Sequence, residues 1–295
     1  MLEIKAGNNR IGIYPSLGGA IAYWLRKDLL IFYPVERSPL TRHSDQIIAA
    51  YPMLPYSNRI ANGKFKFNNS VYQLTPNASN GKDSIHGNAW QKSWDLESFT
   101  ENSVVLTLNY NPDKGSQKEW PYAYFARLRY CVYESGLFIQ MSCKNTDICK
   151  QPIGMGFHPY LPRRNLVEIG FSAPSVWNNG PDGLPEGRML NEDQWNFDQM
   201  RILKQDDFLD NCYVNWDREA FIRWKYSNSF LTVSASVIFR HFVVYTPPDQ
   251  SFFTMEPATN MNNAINMPEI SDRGLFILKP GQILKGRIFY SFMGI

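Results

Sequence analysis

Helical periodicity is almost absent from these 295 residues, and so are the compact signatures of nucleotide or nucleophile chemistry. There is no glycine-rich phosphate loop, no GxSxG elbow and no HExxH pair, so no motif points to a P-loop enzyme, a serine hydrolase or a zinc protease. Charge is sparse: Asp, Glu, Lys and Arg make up 19 % of the chain and the net charge is +3, with no basic stripe and no run of like charges. A nucleic-acid partner would need such a footprint, and none is expected. No apolar run approaches membrane-spanning length, so no membrane partner is expected either. Met1-Leu2-Glu3-Ile4-Lys5 is charged at once, with no apolar segment behind it. That predicts a cytoplasmic protein, in which the sequons at Asn68 and Asn77 are coincidental. The four cysteines, Cys131, Cys143, Cys149 and Cys212, form neither a CxxC pair nor a zinc spacing. Cys131 and Cys143 fall in predicted strands and read as small buried hydrophobes.

What the chain has in quantity is apolar and aromatic residues in period-two alternation. Hydrophobic content is 44 % and aromatic content 15 %, with 8 Trp, 16 Tyr and 19 Phe. Those rings suit sheet faces, and they also suit sugars, whose apolar ring faces stack on aromatic ones. Predicted hairpins span 3–14 around Gly7-Asn8-Asn9, 18–33 around Lys27-Asp28, 65–74 around Asn68-Asn69, 126–143 around Glu134-Ser135-Gly136 and 220–233 around Ser227-Asn228-Ser229. Further strands are predicted at 104–108, 241–245, 252–255, 275–278 and 287–290, with a Lys279-Pro280-Gly281 turn before the last. Segment 36–58 carries three prolines and breaks the alternation, which predicts a long structured loop. No composition shift divides the chain, so residues 1–295 read as one all-β domain, a large β-sandwich.

Two dipeptides share one grammar. Phe252-Phe253-Thr254-Met255-Glu256-Pro257 is an apolar run ending on a carboxylate, and Gly156-Phe157-His158-Pro159 ends a second run on an imidazole. Proline cannot donate to a ladder and holds its predecessor extended, so both strands are expected to stop there with a titratable side chain at the rim. An acid and a base on one face follow from the pair. The uncharged, amide-rich stretch 258–266 is expected to line a polar pocket beside Glu256. His86, followed by Gly87, pins a loop or contacts a ligand, and Arg59 either holds hydroxyls with its fork or pairs with a carboxylate. Asp210 sits beside a second run of acids and suits a turn or cap as well as a site. His43 lies in a polar loop and reads as a surface residue, whereas His241 shares strand parity with Val243 and Tyr245 and reads as a core or rim histidine.

Taken together, Pro55-Tyr56-Ser57-Asn58-Arg59-Ile60-Ala61-Asn62-Gly63, His86-Gly87, Gly156-Phe157-His158-Pro159-Tyr160, Leu209-Asp210, Glu256-Pro257 with Asn263-Ala264, and Leu278-Lys279-Pro280-Gly281 resemble the aldose 1-epimerases (mutarotases) in order and spacing. The resemblance covers nearly the whole chain. It implies a large antiparallel β-sandwich of the galactose-mutarotase type and interconversion of the α and β anomers of an aldose. It further implies Glu256 as general base, His158 as general acid, and Arg59, His86, Asp210 and Asn58 as sugar contacts. No metal or organic cofactor is implied. The partner is a small sugar, and the state a monomer or homodimer. Asn88-Ala89-Trp90 after the His-Gly pair and Ala258-Thr259 after Glu-Pro depart from family members that act on galactose. A hexose-6-phosphate 1-epimerase is the alternative, with Arg42, Arg163 and Arg164 as candidate phosphate contacts. A non-catalytic sugar-binding protein is the third reading.

Overall fold

The computed structural model describes residues 1–35, 47–164, 166–227 and 229–292. The alternation read from sequence becomes two large antiparallel sheets. In the eleven-stranded sheet the order is Leu2–Ala6, Asn9–Tyr14, Ala20–Arg26, Ala50–Met53, Gly156–Pro162, Phe252–Ala258, His241–Tyr245, Asp210–Val214, Ser175–Asn179 and Pro185–Leu190, with Leu29–Phe32 paired to Ala20–Arg26. The nine-stranded sheet runs Asp95–Phe99, Ser103–Tyr110, Tyr124–Tyr133, Gly136–Asn145, Ile283–Phe292, Ser229–Ala235, Glu219–Trp224, Val167–Phe171 and Arg201–Ile202.

The inner faces of the two sheets make one apolar layer. Phe157 of the first sheet meets Tyr290 and Tyr130 of the second, with ring centroids 6.3 Å and 6.4 Å apart. Trp24 and Phe32 reach Tyr290 from the first sheet at 6.2 Å and 5.2 Å. All five rings are fully buried, each contributing roughly 1.5–3 kcal/mol by leaving water. The turns follow their chemistry too. Asn68 and Asn69 sit at φ 48° and 62°, as a two-residue hairpin connection requires, and asparagine tolerates that region.

Two expectations are corrected. Segment 36–58 is not wholly loop, because Ala50–Met53 is a strand within the first sheet. Residues 48–54 are buried without interruption, so no alternation betrays the strand, and Pro52 disguises it further. Neither X-Pro dipeptide ends its strand: Gly156–Pro162 continues past Pro159 and Phe252–Ala258 past Pro257. Phe276–Leu278, a strand as expected, pairs with Gln151–Ile153 in a small separate sheet. Arg42, His43 and Asn228 lie outside the described residues. Among the described residues no helix is long and apolar enough to cross a membrane.

Candidate active site

Side chains on the outer face of the eleven-stranded sheet line a cavity of about 300 Å³. That lies at the lower end of the roughly 300–1,000 Å³ range of ligand pockets. Strand parity decides which residues reach it. Phe157 and Leu161 belong to the inter-sheet core, whereas His158 and Tyr160 line the cavity. The same rule sends Phe253 and Met255 inward and leaves Phe252 and Glu256 on the cavity side.

His158 and Glu256 come together by register. Gly156 pairs with Ala258 and Tyr160 with Thr254, and counting inward from both pairs sets His158 opposite Glu256. The backbone N–H of Tyr160 donates to Ala49 on the other flank at 2.8 Å, so the odd-numbered residues of this strand address the Glu256 strand. Pro159 and Pro257 are the residues there that have no N–H to give. The imidazole Nε2 lies 3.3 Å from Oε1 of the carboxyl. Both residues are buried, His158 at 7 % exposure and Glu256 at 3 %.

Burial dominates their electrostatics. It pushes the Glu256 carboxyl up to about 8, opposed by the Thr254 hydroxyl that donates to Oε1 at 2.7 Å, with Asp210 raising it further and Arg59 lowering it. It pulls His158 down to about 3, with its own backbone carbonyl acting in the opposite sense. Both directions favour an uncharged pair, carboxylic acid beside neutral imidazole. Tyr51 stacks on His158 with centroids 4.6 Å apart and planes inclined by 15°, which fixes the ring in place.

The remaining sequence candidates converge on the same cavity. Arg59–Ile60 and Ser84–Ile85 form a short ladder with Arg59 opposite Ile85, and His86 follows directly, bonded to Asn58. Arg59 Nη1 lies 3.8 Å from Asp210 Oδ2. Burial raises the Asp210 pKa and Arg59 lowers it. Asn58 and His86 clasp each other through the backbone. The Asn58 N–H donates to His86 Nδ1 at 3.1 Å, and the His86 N–H donates to the Asn58 carbonyl at 3.0 Å. Gly87 serves the fold here: at φ +70° a Cβ would stand 1.9 Å from the Leu54 carbonyl oxygen. Val35, Tyr51, Trp90, Tyr160, Tyr245, Gln250 and Phe252 also line the cavity and were not given a role in a site from sequence. Tyr160 was legible, two residues beyond His158 and of equal parity, but Tyr51 was hidden in the segment read as loop.

The amide-rich stretch does a different job from the one expected. None of residues 258–266 lines the cavity. Asn260 Nδ2 donates to the Ser57 carbonyl at 3.0 Å, and its Oδ1 accepts the Ser57 N–H at 3.2 Å. Asn263 accepts the Ala61 N–H through Oδ1 at 3.1 Å and gives its own backbone N–H to the Arg59 carbonyl at 2.8 Å. These amides replace a ladder for the segment that carries Asn58 and Arg59.

His241 is fully buried with Nδ1 2.7 Å from the Thr259 carbonyl oxygen, a core histidine as its parity suggested. Cys131 and Cys143 are buried. Arg163 is buried away from the cavity, its guanidinium donating to the carbonyls of Pro247 at 2.9 Å, Lys204 at 2.5 Å, and Gln205 and Asp207 at 3.1 Å. Arg164 borders a different surface pocket. Arg59 is thus the cation that lines the cavity among the described residues. Among them, too, no group of three or more His, Cys, Asp or Glu side chains is arranged to hold a metal ion.

Comparison with known proteins agrees with this architecture. A family model described as aldose 1-epimerase matches residues 1–291. The Escherichia coli K12 protein YphB is 23 % identical over 274 residues, which cover 90 % of this chain and 89 % of that one. A galactose mutarotase-like protein from Clostridium acetobutylicum superposes with a TM-score of 0.85 at 17 % identity, covering 99 % of this chain and 95 % of its own. A galactose 1-epimerase from Lactobacillus acidophilus does so with a TM-score of 0.74 at 16 % identity, covering 98 % and 92 %.

Proposed function

The chain belongs to the aldose 1-epimerase family, and from that premise we propose that it interconverts the α and β anomers of a free aldose, with Glu256 as base and His158 as acid. The observation that carries this reading is the 3.3 Å contact between Glu256 Oε1 and His158 Nε2, two buried side chains on the cavity wall. Mutarotation moves protons at two oxygens bonded to one carbon, so its acid and base must both reach that one centre, as neighbours on one cavity wall can.

The pair needs one proton between its two members. With that proton on the imidazole, the carboxylate accepts the proton of the C1 hydroxyl while the imidazolium gives its own to the ring oxygen. The C1–O5 bond breaks, its electron pair goes to O5, and C1 becomes an aldehyde. Glu256 then holds the proton and His158 is neutral, the uncharged state that burial favours. Rotation about C1–C2 and the reverse transfers close the ring as the other anomer. Arg59 and His86 are the donors available to steady charge as the bond breaks.

Two features favour a free sugar over a phosphate ester. Arg163 is committed to carbonyl oxygens, and Arg59 already faces the carboxylate of Asp210. Anomer exchange followed by polarimetry or NMR tests the assignment. Glu256→Gln and His158→Asn are each expected to lower the rate by roughly 10²–10⁴ with the fold intact. An unaltered rate in either variant rejects it.

A further inference from the structure

Asn58 and His86 face each other, and both hold backbone conformations that asymmetric residues avoid, φ 58° and 62°. Two such residues in mutual contact on a cavity wall call for a reason. The Asn58 peptide N–H donates to Nδ1 of His86, so that nitrogen must offer a lone pair. An imidazole that accepts at Nδ1 is neutral and carries its proton on Nε2.

We infer that Asn58 is a positioning residue which sets the tautomer of His86, making His86 an obligate hydrogen-bond donor, through Nε2, to an oxygen lone pair of the sugar. The inference deepens the proposed mutarotase reading, and its central prediction stands without it. His86 is then neither acid nor base in the proton transfers; it is a fixed dipole aimed at the oxygen that gains charge. A donor with no alternative protonation state keeps that aim while His158 and Glu256 exchange their proton beside it. The rings of His86 and His158 meet edge to face, 5.4 Å between centroids and 81° between planes. Tyr51 closes the third side at 5.9 Å from His86. Burial, His158 and Arg59 all lower the affinity of His86 for a second proton.

Asn58 acts through its backbone, which must be left-handed, a conformation that asparagine tolerates. Its Oδ1 accepts the N–H of Arg59 at 2.8 Å, a local bond that suits this conformation. Replacement by glycine keeps the left-handed region freely accessible, whereas alanine occupies it only at a cost.

The test is long-range ¹H–¹⁵N correlation of imidazole rings in the ¹⁵N-labelled full-length protein, with His86 assigned by the signal lost in His86→Gln. The expected spectrum has Nδ1 unprotonated and Nε2 protonated, unchanged from about pH 6 to 8. Asn58→Gly is expected to keep that signature, and Asn58→Ala to mix the tautomers. In anomer exchange, Asn58→Ala is expected to lose roughly tenfold more kcat than Asn58→Gly, the ratio set by the cost of the left-handed backbone. A protonated Nδ1 in the wild type overturns the inference. So does an equal loss in both variants with the tautomer unchanged, which makes the Asn58 amide itself the sugar contact. Should Asn58→Ala not fold, the wild-type spectrum and Asn58→Gly still decide. A wild type without anomer exchange refutes the mutarotase reading and leaves the tautomer result to stand on the spectrum.

Discussion

His158 and Glu256 stand opposite each other on neighbouring antiparallel strands, at a point of the ladder bracketed by Pro159 and Pro257. Directly opposed residues that exchange no backbone bonds bring their side chains closest, with Cα atoms about 4.5 Å apart. The proposed acid and base therefore sit on paired strands, and their spacing does not depend on a loop.

The pH dependence of the rate follows from the single shared proton. In the proposed reaction the pair works with one proton and fails with none or two. Loss of the proton is governed by the value of about 8 that burial gives Glu256, and gain of a second by the value of about 3 that it gives His158. These belong to the pair as a whole. The expected profile of kcat/KM for anomer exchange is flat through neutrality and falls tenfold per pH unit above about pH 8. A fall already complete between pH 6 and 7 would contradict this assignment of the proton.

Much of this was legible in the sequence. The Asn68-Asn69 and Glu134-Ser135-Gly136 turns, the alternating strands and the His-Pro and Glu-Pro dipeptides were all visible. The dipeptides pointed to two residues that the fold does bring together, but by the wrong route, since proline here removes donors from the middle of a ladder instead of ending it. What stayed hidden was whatever depends on partners distant in the chain. Ala50–Met53 has no alternation because both of its faces are covered. The asparagines of 258–266 look like pocket residues because nothing local reveals that Ser57, Arg59 and Ala61 use them.

Glu256 should also weaken the protein in alkali. Its folded value of about 8 lies above the ordinary 4.5, so its contribution is fully present below pH 4.5 and lost as pH rises through 8. His158 runs the other way, its folded value of about 3 lying below 6.5, so its contribution is present above pH 6.5 and lost as pH falls through 3. The two slopes oppose between pH 4.5 and 6.5, and from 6.5 to 8 Glu256 acts without that opposition. Across that window Glu256→Gln should gain about 2 kcal/mol on the wild type. Denaturant titrations at both pH values measure it, and a constant difference would refute the raised carboxyl.

Asn260 should matter for binding although it is not in the cavity. Asn260→Ala strips the Ser57 N–H and carbonyl of their partners in a buried place, at a cost of about 2–4 kcal/mol. Arg59 lies two residues further on, so KM should rise severalfold with kcat less affected. Thermal melts together with steady-state kinetics check both parts. A stable variant with wild-type KM would mean that the asparagine bracket does not hold the Arg59 segment.

Arg163 separates the two sugar classes. If its guanidinium serves the carbonyls of Pro247, Lys204, Gln205 and Asp207, then Arg163→Met leaves those oxygens without a buried donor and lowers stability by about 2–4 kcal/mol. The ratio of anomer-exchange rates on glucose and glucose 6-phosphate should then stay as in the wild type, because neither substrate touches the residue. If Arg163 instead turned toward the cavity to meet a dianion, the variant would lose rate on the phosphate ester alone. Measuring both rates at a temperature well below the melt keeps the stability loss out of the comparison. A ratio shifted tenfold toward the free sugar would restore the phosphate reading and place a cation where the carbonyls now hold it.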